Sequence, residues 1–317
     1  MLCPALQQTF GPAGVRCDCA RLGATGTSMT KRGELWQAAL LFLLLLLLTG
    51  SPAKLLAQTP APSVQTPRPS VDPDLAIVAA QPDFTLAVLP TTLRVPRGKF
   101  IFRLTHRFTR PLDGGTGGEL LENFFNLDSS ARVGFELRYG LRPGTQVSVY
   151  RTNDRTIQFA GQIEVASWRD ASPATIDALI AVEGENNFRD ERSITIGALL
   201  SHQFNTHGAI YLEPLFTTNT HVDPFTTSSE DSTTMVGVGA RWRLGQSRTY
   251  AMAEYLPRVS GFHPGLDAAS LGLEHRVGGH FFQLNVSRVL GTTFAQNARG
   301  SAEAHWFIGF NLVRRFY

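Results

Sequence analysis

Histidine and serine are the residue types whose spacing would matter first if this chain carried out acid–base or nucleophilic chemistry. Four of its eight histidines, His263, His275, His280 and His305, fall in the last third, near Ser270 and Ser287. A hydrolase needs a nucleophile, a base and an orienting group in one place. Under a two-residue period Ser287 falls on the polar side of its segment and His280 on the opposite side, so the two do not meet. No two histidines stand two or four residues apart, and His202 and His207 bracket a turn, which reads as a solvated loop. Cys17 and Cys19 form a Cys–X–Cys pair with no further ligand cluster nearby. The sequence therefore assigns no catalytic residue, metal or cofactor, and an enzyme ranks third among the function classes.

Arginine and glutamate offer the better lead. Charged residues recur on the polar side of alternating segments. Arg103, Arg107, Arg132, Arg138, Arg241, Arg243 and Arg276 stand against Glu136, Glu164, Asp177, Glu213, Glu254 and Glu274. If those sides face a lumen, two arrangements compete. The charges form ion-paired ladders that brace a closed interior, or the arginines cluster into an anion-preferring passage. The near balance of the two signs favours ladders, because each arginine-bearing segment has a carboxylate within pairing reach on its own or a neighbouring strand.

The elements that hold these residues have a period of two. In 99–109, Phe100, Phe102, Leu104, His106 and Phe108 oppose Ile101, Arg103, Thr105, Arg107 and Thr109. In 132–141, Val133, Phe135, Leu137, Tyr139 and Leu141 oppose Arg132, Gly134, Glu136, Arg138 and Gly140, and Arg142-Pro143-Gly144-Thr145 makes a tight turn. Further segments fall at 145–152, 156–168, 174–184, 193–204, 208–217, 233–244, 248–257, 268–276, 280–289 and 306–317. That makes about twelve strands of roughly 9–13 residues, the length and even number of a bacterial transmembrane barrel. A soluble sandwich has shorter strands and lysine on its polar faces, whereas Lys99 is the one lysine after position 54. Trp168, Trp242, Trp306, Tyr139, Tyr250, Tyr255 and Phe316 are candidates for interfacial aromatic girdles. Val238 is expected to face lipid, so Val238→Arg should impair assembly, and Arg241→Ser should be tolerated better.

Upstream, residues 29–57 read as a secretory signal peptide. Lys31 and Arg32 precede an unbroken apolar run from Ala38 to Leu48, too short to span a bilayer, and Leu55-Leu56-Ala57 offers a cleavage site. Residues 1–28 then read as an over-extended translation start. Residues 58–95 read as a Pro-rich periplasmic linker, in which 84–95 forms a short extra strand or an inward-tucked segment. Residues 96–317 are the barrel. All three cysteines lie before Met29, which suits export through an oxidising compartment. From Gln58 onward 24 basic residues balance 24 acidic ones, because five of the 29 and two of the 26 precede it. A general attraction to nucleic acid is excluded on that charge.

Three stretches, 94–112 (RVPRGKFIFRLTHRFTRPL), 239–259 (GARWRLGQSRTYAMAEYLPRV) and 271–288 (LGLEHRVGGHFFQLNVSR), with the terminal WFIGFNLVRRF of 306–316, resemble a family of bacterial outer-membrane β-barrels known only as a domain of unknown function. The terminal strand also resembles the segment that outer-membrane assembly machinery recognises. The resemblance implies an outer-membrane setting, lipid and that machinery as partners, and genes for exported redox proteins as frequent neighbours. It implies no reaction, and the chain has no Cys–X–X–Cys–His haem site. The expectation is an all-β, antiparallel transmembrane β-barrel acting as a small channel or transporter for small polar solutes. The alternative is a structural or adaptor barrel that docks a periplasmic redox partner.

Overall fold

A computed structural model describes residues 78–114, 130–168, 173–221, 230–302 and 304–317. The signal peptide, the over-extended start, the cysteines and the linker up to position 77 lie outside the described residues. Alternation dictates the rest: a strand with one apolar and one polar side must present them to different surroundings. The strands are β1 (Phe100–Phe108), β2 (Ala131–Arg142), β3 (Thr145–Thr152), β4 (Ile157–Trp168), β5 (Ala174–Gly184), β6 (Arg192–Phe204), β7 (Gly208–Thr218), β8 (Ser232–Arg243), β9 (Thr249–Leu256), β10 (Arg258–Gly261), β11 (Ala268–Val277), β12 (His280–Ser287) and β13 (Phe307–Arg315). One short helix, α1 (Phe294–Arg299), interrupts them. Each strand pairs antiparallel with the next, β10 continues β9 past Pro257, and β1 pairs with β13. The sheet therefore closes as a barrel of twelve staves with no free edge, the condition for strands to cross a bilayer.

The faces are inverted relative to a soluble protein. Outward residues such as Phe135, Leu137, Phe159, Ile180, Ile196 and Leu284 are 45–58% exposed, while inward arginines and glutamates are buried. An apolar outer band over a polar interior is the pattern of a membrane barrel. Trp168, Trp242, Tyr139, Tyr255 and Phe316 lie on the exposed side. Tyr250 does not belong with them: it points inward and donates to the Ala79 carbonyl at 2.9 Å. Its neighbours Thr249 and Ala251 take the outward positions, a parity that one aromatic in a weakly alternating segment conceals. Arg314, the lone charge on the outer face of β13, lies beside His280 and over the Phe316 ring at the strand's end.

The two mouths differ. One carries the short turns that link β2 to β3, β6 to β7, β8 to β9 and β11 to β12, and both described chain ends. Gly144, at φ +76°, makes the first of those turns. The other mouth carries the longer connections 109–130, 219–231 and 288–306.

Candidate functional site

The lumen is occupied by the chain itself. Residues 78–95, which composition places at the end of a linker, are a hairpin tucked inside the barrel, and positions 80–95 are buried. The hairpin enters from the short-turn mouth, reverses where the Leu86 N–H donates to the Leu89 carbonyl (2.8 Å), and leaves by the same mouth into β1. Room for its tip comes from β8. A Cβ on Gly237 would lie 2.7 Å from Leu89, and one on Gly239 would lie 2.3 Å from Leu86.

The barrel wall fastens the hairpin through its main chain. Arg315 donates to the Pro82 carbonyl, and Arg241 to Asp83 (3.2 Å) and Thr85 (2.7 Å). Arg138 donates to Phe84 (3.2 Å), Gln283 to Leu86 (3.2 Å), and both Arg103 (2.8 Å) and Asn311 (3.3 Å) to Ala87. One Glu254 oxygen then accepts from the N–H groups of Val88 (3.0 Å) and Leu89 (3.1 Å). The apolar side chains of this tip join Leu179, Leu199, Leu215, Met235, Met252 and Leu256 on the wall formed by β5 to β9. A polar wall thus holds the hairpin's backbone, and an apolar wall holds its side chains.

The opposite mouth is filled by residues 288–302. Thr293 caps α1, and its hydroxyl donates to Glu183 (2.6 Å), which also accepts from the Ala295 N–H (3.2 Å). Phe294 meets the hairpin tip in one apolar cluster. Between the two fillings lie cavities of about 30 and 20 Å³, lined in part by Arg103, Glu136, Arg138, Gln158 and Thr292. Each holds about one water, far less than a solute needs.

Placed one by one, the charges selected by alternation separate into three groups. Arg103, Glu136 and Arg138 form one buried cluster, with Arg103–Glu136 at 3.2 Å and Arg138–Glu136 at 2.6 Å. Arg241 and Glu274 form a two-pronged pair at 2.5 and 2.8 Å, extended by Gln283 (2.7 Å). Such paired geometry is what an ion pair needs to persist away from water. The second group lies at the ends of strands. Arg132 pairs with Asp154 at 3.3 Å in the β3–β4 turn. Burial raises the Asp154 carboxyl, but hydrogen bonds from Thr152 and Thr156 and the Arg132 charge outweigh it and leave it below its ordinary value. Arg243 folds back on the carbonyls of Gln246 and Ser247, and Arg276 lies near the Gly278 carbonyl and over Phe281. These two stand at the mouth and not along the lumen, because each strand ends at its turn before an inward position is enclosed.

In the third group the partner is unexpected or missing. Arg107 faces Arg132 across β1 and β2 and bonds the Val289 and Gly291 carbonyls instead of a carboxylate. Glu164 and Asp177 are direct cross-strand neighbours. Arg94 of the hairpin joins them, with Asp177 at 2.7 Å. Glu213 is wholly buried, and among the described residues neither of its oxygens has a hydrogen-bond partner. Arg94, Arg315, Glu183 and Asn311 are polar lumen residues, bonded to the hairpin, to α1 or to the wall, that inspection of the sequence missed. The like-charged Glu164–Asp177 pair is the signal that would have called for a cation such as Arg94.

Residues 83–316 match the family described as membrane bound beta barrel domain (DUF5777). The chain belongs to this family. The match begins at Asp83, so it takes in most of the hairpin, and the family's barrel is membrane-bound. No curated protein matches the chain. Among solved structures, the NanC porin is similar at 8% identity and a TM-score of 0.45, over 69% of this chain and 100% of that one. Outer membrane phospholipase A from Escherichia coli is similar at 12% and 0.41, over 70% and 91%. OccAB3 from Acinetobacter baumannii is similar at 11% and 0.32, over 59% and 56%. These values carry no substrate or chemistry to this lumen. The serines and histidines weighed above do not meet: Ser270 and Ser287 bond each other inside at 2.8 Å, while His275 bonds Thr249.

Proposed function

We propose that this barrel is an outer-membrane channel for small polar solutes which its own N-terminal hairpin closes, and which opens when that hairpin withdraws. The observation that carries this reading is the route of the hairpin. It enters and leaves by one mouth, so it can retract without threading or unpairing a strand. The short turns at that mouth mark the periplasmic side of an outer-membrane barrel. Water can replace the hairpin's polar anchors at the charged wall of β1, β2 and β13. Withdrawal uncovers a space lined by Arg103, Glu136, Arg138 and Arg241, and residues 288–302 at the opposite mouth must also shift for a solute to cross.

A second reading rests on the apolar cluster at the tip. Leu86 and Leu89 are packed among buried wall residues as in a protein core, which favours a sealed structural barrel that displays its mouths to a periplasmic redox protein.

A reversible cross-link between hairpin and wall separates the two. The hydroxyls of Thr92 and Ser201 are 2.5 Å apart, linking the hairpin to β6, close enough for a disulfide after Thr92→Cys and Ser201→Cys, with Cys3, Cys17 and Cys19 changed to Ser. In planar bilayers the oxidised protein is expected to be silent and the reduced protein to give small conductance steps. A reduced, folded barrel with no steps across a wide voltage range overturns the channel reading in favour of the sealed one.

A further inference from the structure

Six consecutive main-chain carbonyls, Pro82 to Ala87, each accept a hydrogen bond from a barrel side chain, and the next two N–H groups share one carboxylate. Unbroken capture of this kind goes beyond what is needed to pin a plug. One or two anchors at the tip would hold a tethered loop. The donors come from the contiguous strands β12, β13, β1 and β2 and from β8, and they converge on one short backbone stretch that bends and reverses at Leu86–Leu89.

Recognition through the main chain is the mode by which proteins hold peptides without reading their sequence, while pockets for side chains supply the selectivity. Here the pocket is the apolar wall around Leu199, Leu215 and Met235, which receives the residues after the captured carbonyls. A sugar or a simple anion would match neither the spacing of the donors nor that apolar wall.

We infer that the lumen is a binding site for oligopeptides that reverse in a tight turn and are apolar at that turn, and that residues 82–91 occupy it as an internal ligand. The inference rests on the hairpin being able to withdraw. An incoming peptide then takes its place on the same donors and blocks the channel. The tethered hairpin competes at an effective concentration in the millimolar range, so a free peptide acts at about millimolar concentration as well.

The test uses the full chain carrying the Thr92→Cys and Ser201→Cys pair in planar bilayers, reduced, and a synthetic decapeptide of sequence PDFTLAVLPT. The peptide is expected to block the steps at about millimolar concentration. A peptide with the same first six residues in shuffled order should block within about threefold, because the backbone is what binds. Polyethylene glycol of equal length should not block. Asn311→Leu should weaken the block up to about tenfold, the effect of one lost hydrogen bond. A second measurement avoids the disulfide. In a chain with Thr92→Cys alone and the upstream cysteines changed to Ser, the peptide should speed maleimide labelling at position 92, and polyethylene glycol should not. If the reduced channel conducts but peptides block no better than polyethylene glycol, the inference is wrong and the channel reading stands. If the reduced barrel never conducts and position 92 is never labelled, with or without peptide, both fall.

Discussion

Glu213 and Arg241 sit in the same lumen, are equally inaccessible, and differ in partners. Arg241 has Glu274 on one edge and the hairpin carbonyls on the other. Glu213 has none among the described residues. A buried polar group without a partner costs about 1–3 kcal/mol, and a charge costs more. Glu213→Leu is therefore expected to stabilise the folded barrel by about 1–3 kcal/mol, measured as a higher urea midpoint in lipid vesicles; a lower midpoint would show an unseen partner for the carboxylate. Arg241→Ser should do the reverse. It strands Glu274 in the interior, a loss of about 3–5 kcal/mol for a broken buried pair. Adding Glu274→Gln should restore most of it. Sequence alternation expects Arg241→Ser to be tolerated better than Val238→Arg because lumen positions are usually wet. This lumen is filled and Arg241 is bonded on both edges, so here Arg241→Ser is expected to cost as much as a charge placed in lipid. Alternation revealed which residues face inward, but it is silent on what stands opposite them. Arg103 and Glu136 are adjacent in register and were legible as a pair, while Arg241 and Glu274 sit on β8 and β11 with β9 between them.

At the scale of elements, the strands were legible and the hairpin was not. Each strand declares itself by a period of two over some ten residues, and the closed sheet leaves little freedom in how consecutive strands pair. The hairpin has no such period. Its stretch from Phe84 to Val95 is short and apolar, contains Pro90, and follows a proline-rich tract, so composition assigns it to the linker. What marks it in hindsight is on another element: Gly237 and Gly239 stand two apart on the inward face of β8, where a barrel would otherwise place filling side chains. They also yield a prediction. Gly239→Val drives methyl groups into Leu86 and should dislodge the tip, since overpacking costs about 1–3 kcal/mol. Maleimide labelling of a thiol introduced by Thr92→Cys should accelerate about five- to a hundredfold by that estimate, with the barrel still folded by heat-modified gel mobility. Unchanged labelling would mean that β8 yields and the hairpin does not. On the other face of the same strand Val238→Arg places a charge in lipid, at about 2–4 kcal/mol near the midplane, and should lower the folded fraction without affecting the hairpin.

For the whole molecule the question is whether the hairpin is a fixed part of the fold or a docked segment of it. The opposing terms can be compared. Seven hydrogen bonds to six carbonyls, five of them from arginine, contribute about 6–12 kcal/mol. Burying Leu86, Val88 and Leu89 contributes about 5–8 kcal/mol. Ordering the ten residues from Pro82 to Thr91 costs about 12–20 kcal/mol. On these terms the two sides balance to within a few kcal/mol, unlike the barrel wall, where each of the twelve staves is paired on both sides. A segment so balanced is one whose occupancy a single substitution can shift. Leu89→Ala removes a wholly buried side chain from the tip, a change that costs about 2–5 kcal/mol in a packed core. If the hairpin docks and undocks as a unit, all of that cost falls on the docked state, because the withdrawn tip is in water either way. Labelling at position 92 should then rise from about thirtyfold to a few thousandfold, at tenfold per 1.4 kcal/mol, while the urea midpoint of the barrel barely moves. If instead the hairpin is part of one cooperative core, the same substitution lowers the midpoint and leaves labelling slow until the barrel unfolds. The two measurements move in opposite senses under the two descriptions, so one variant decides between a gated barrel and a sealed one.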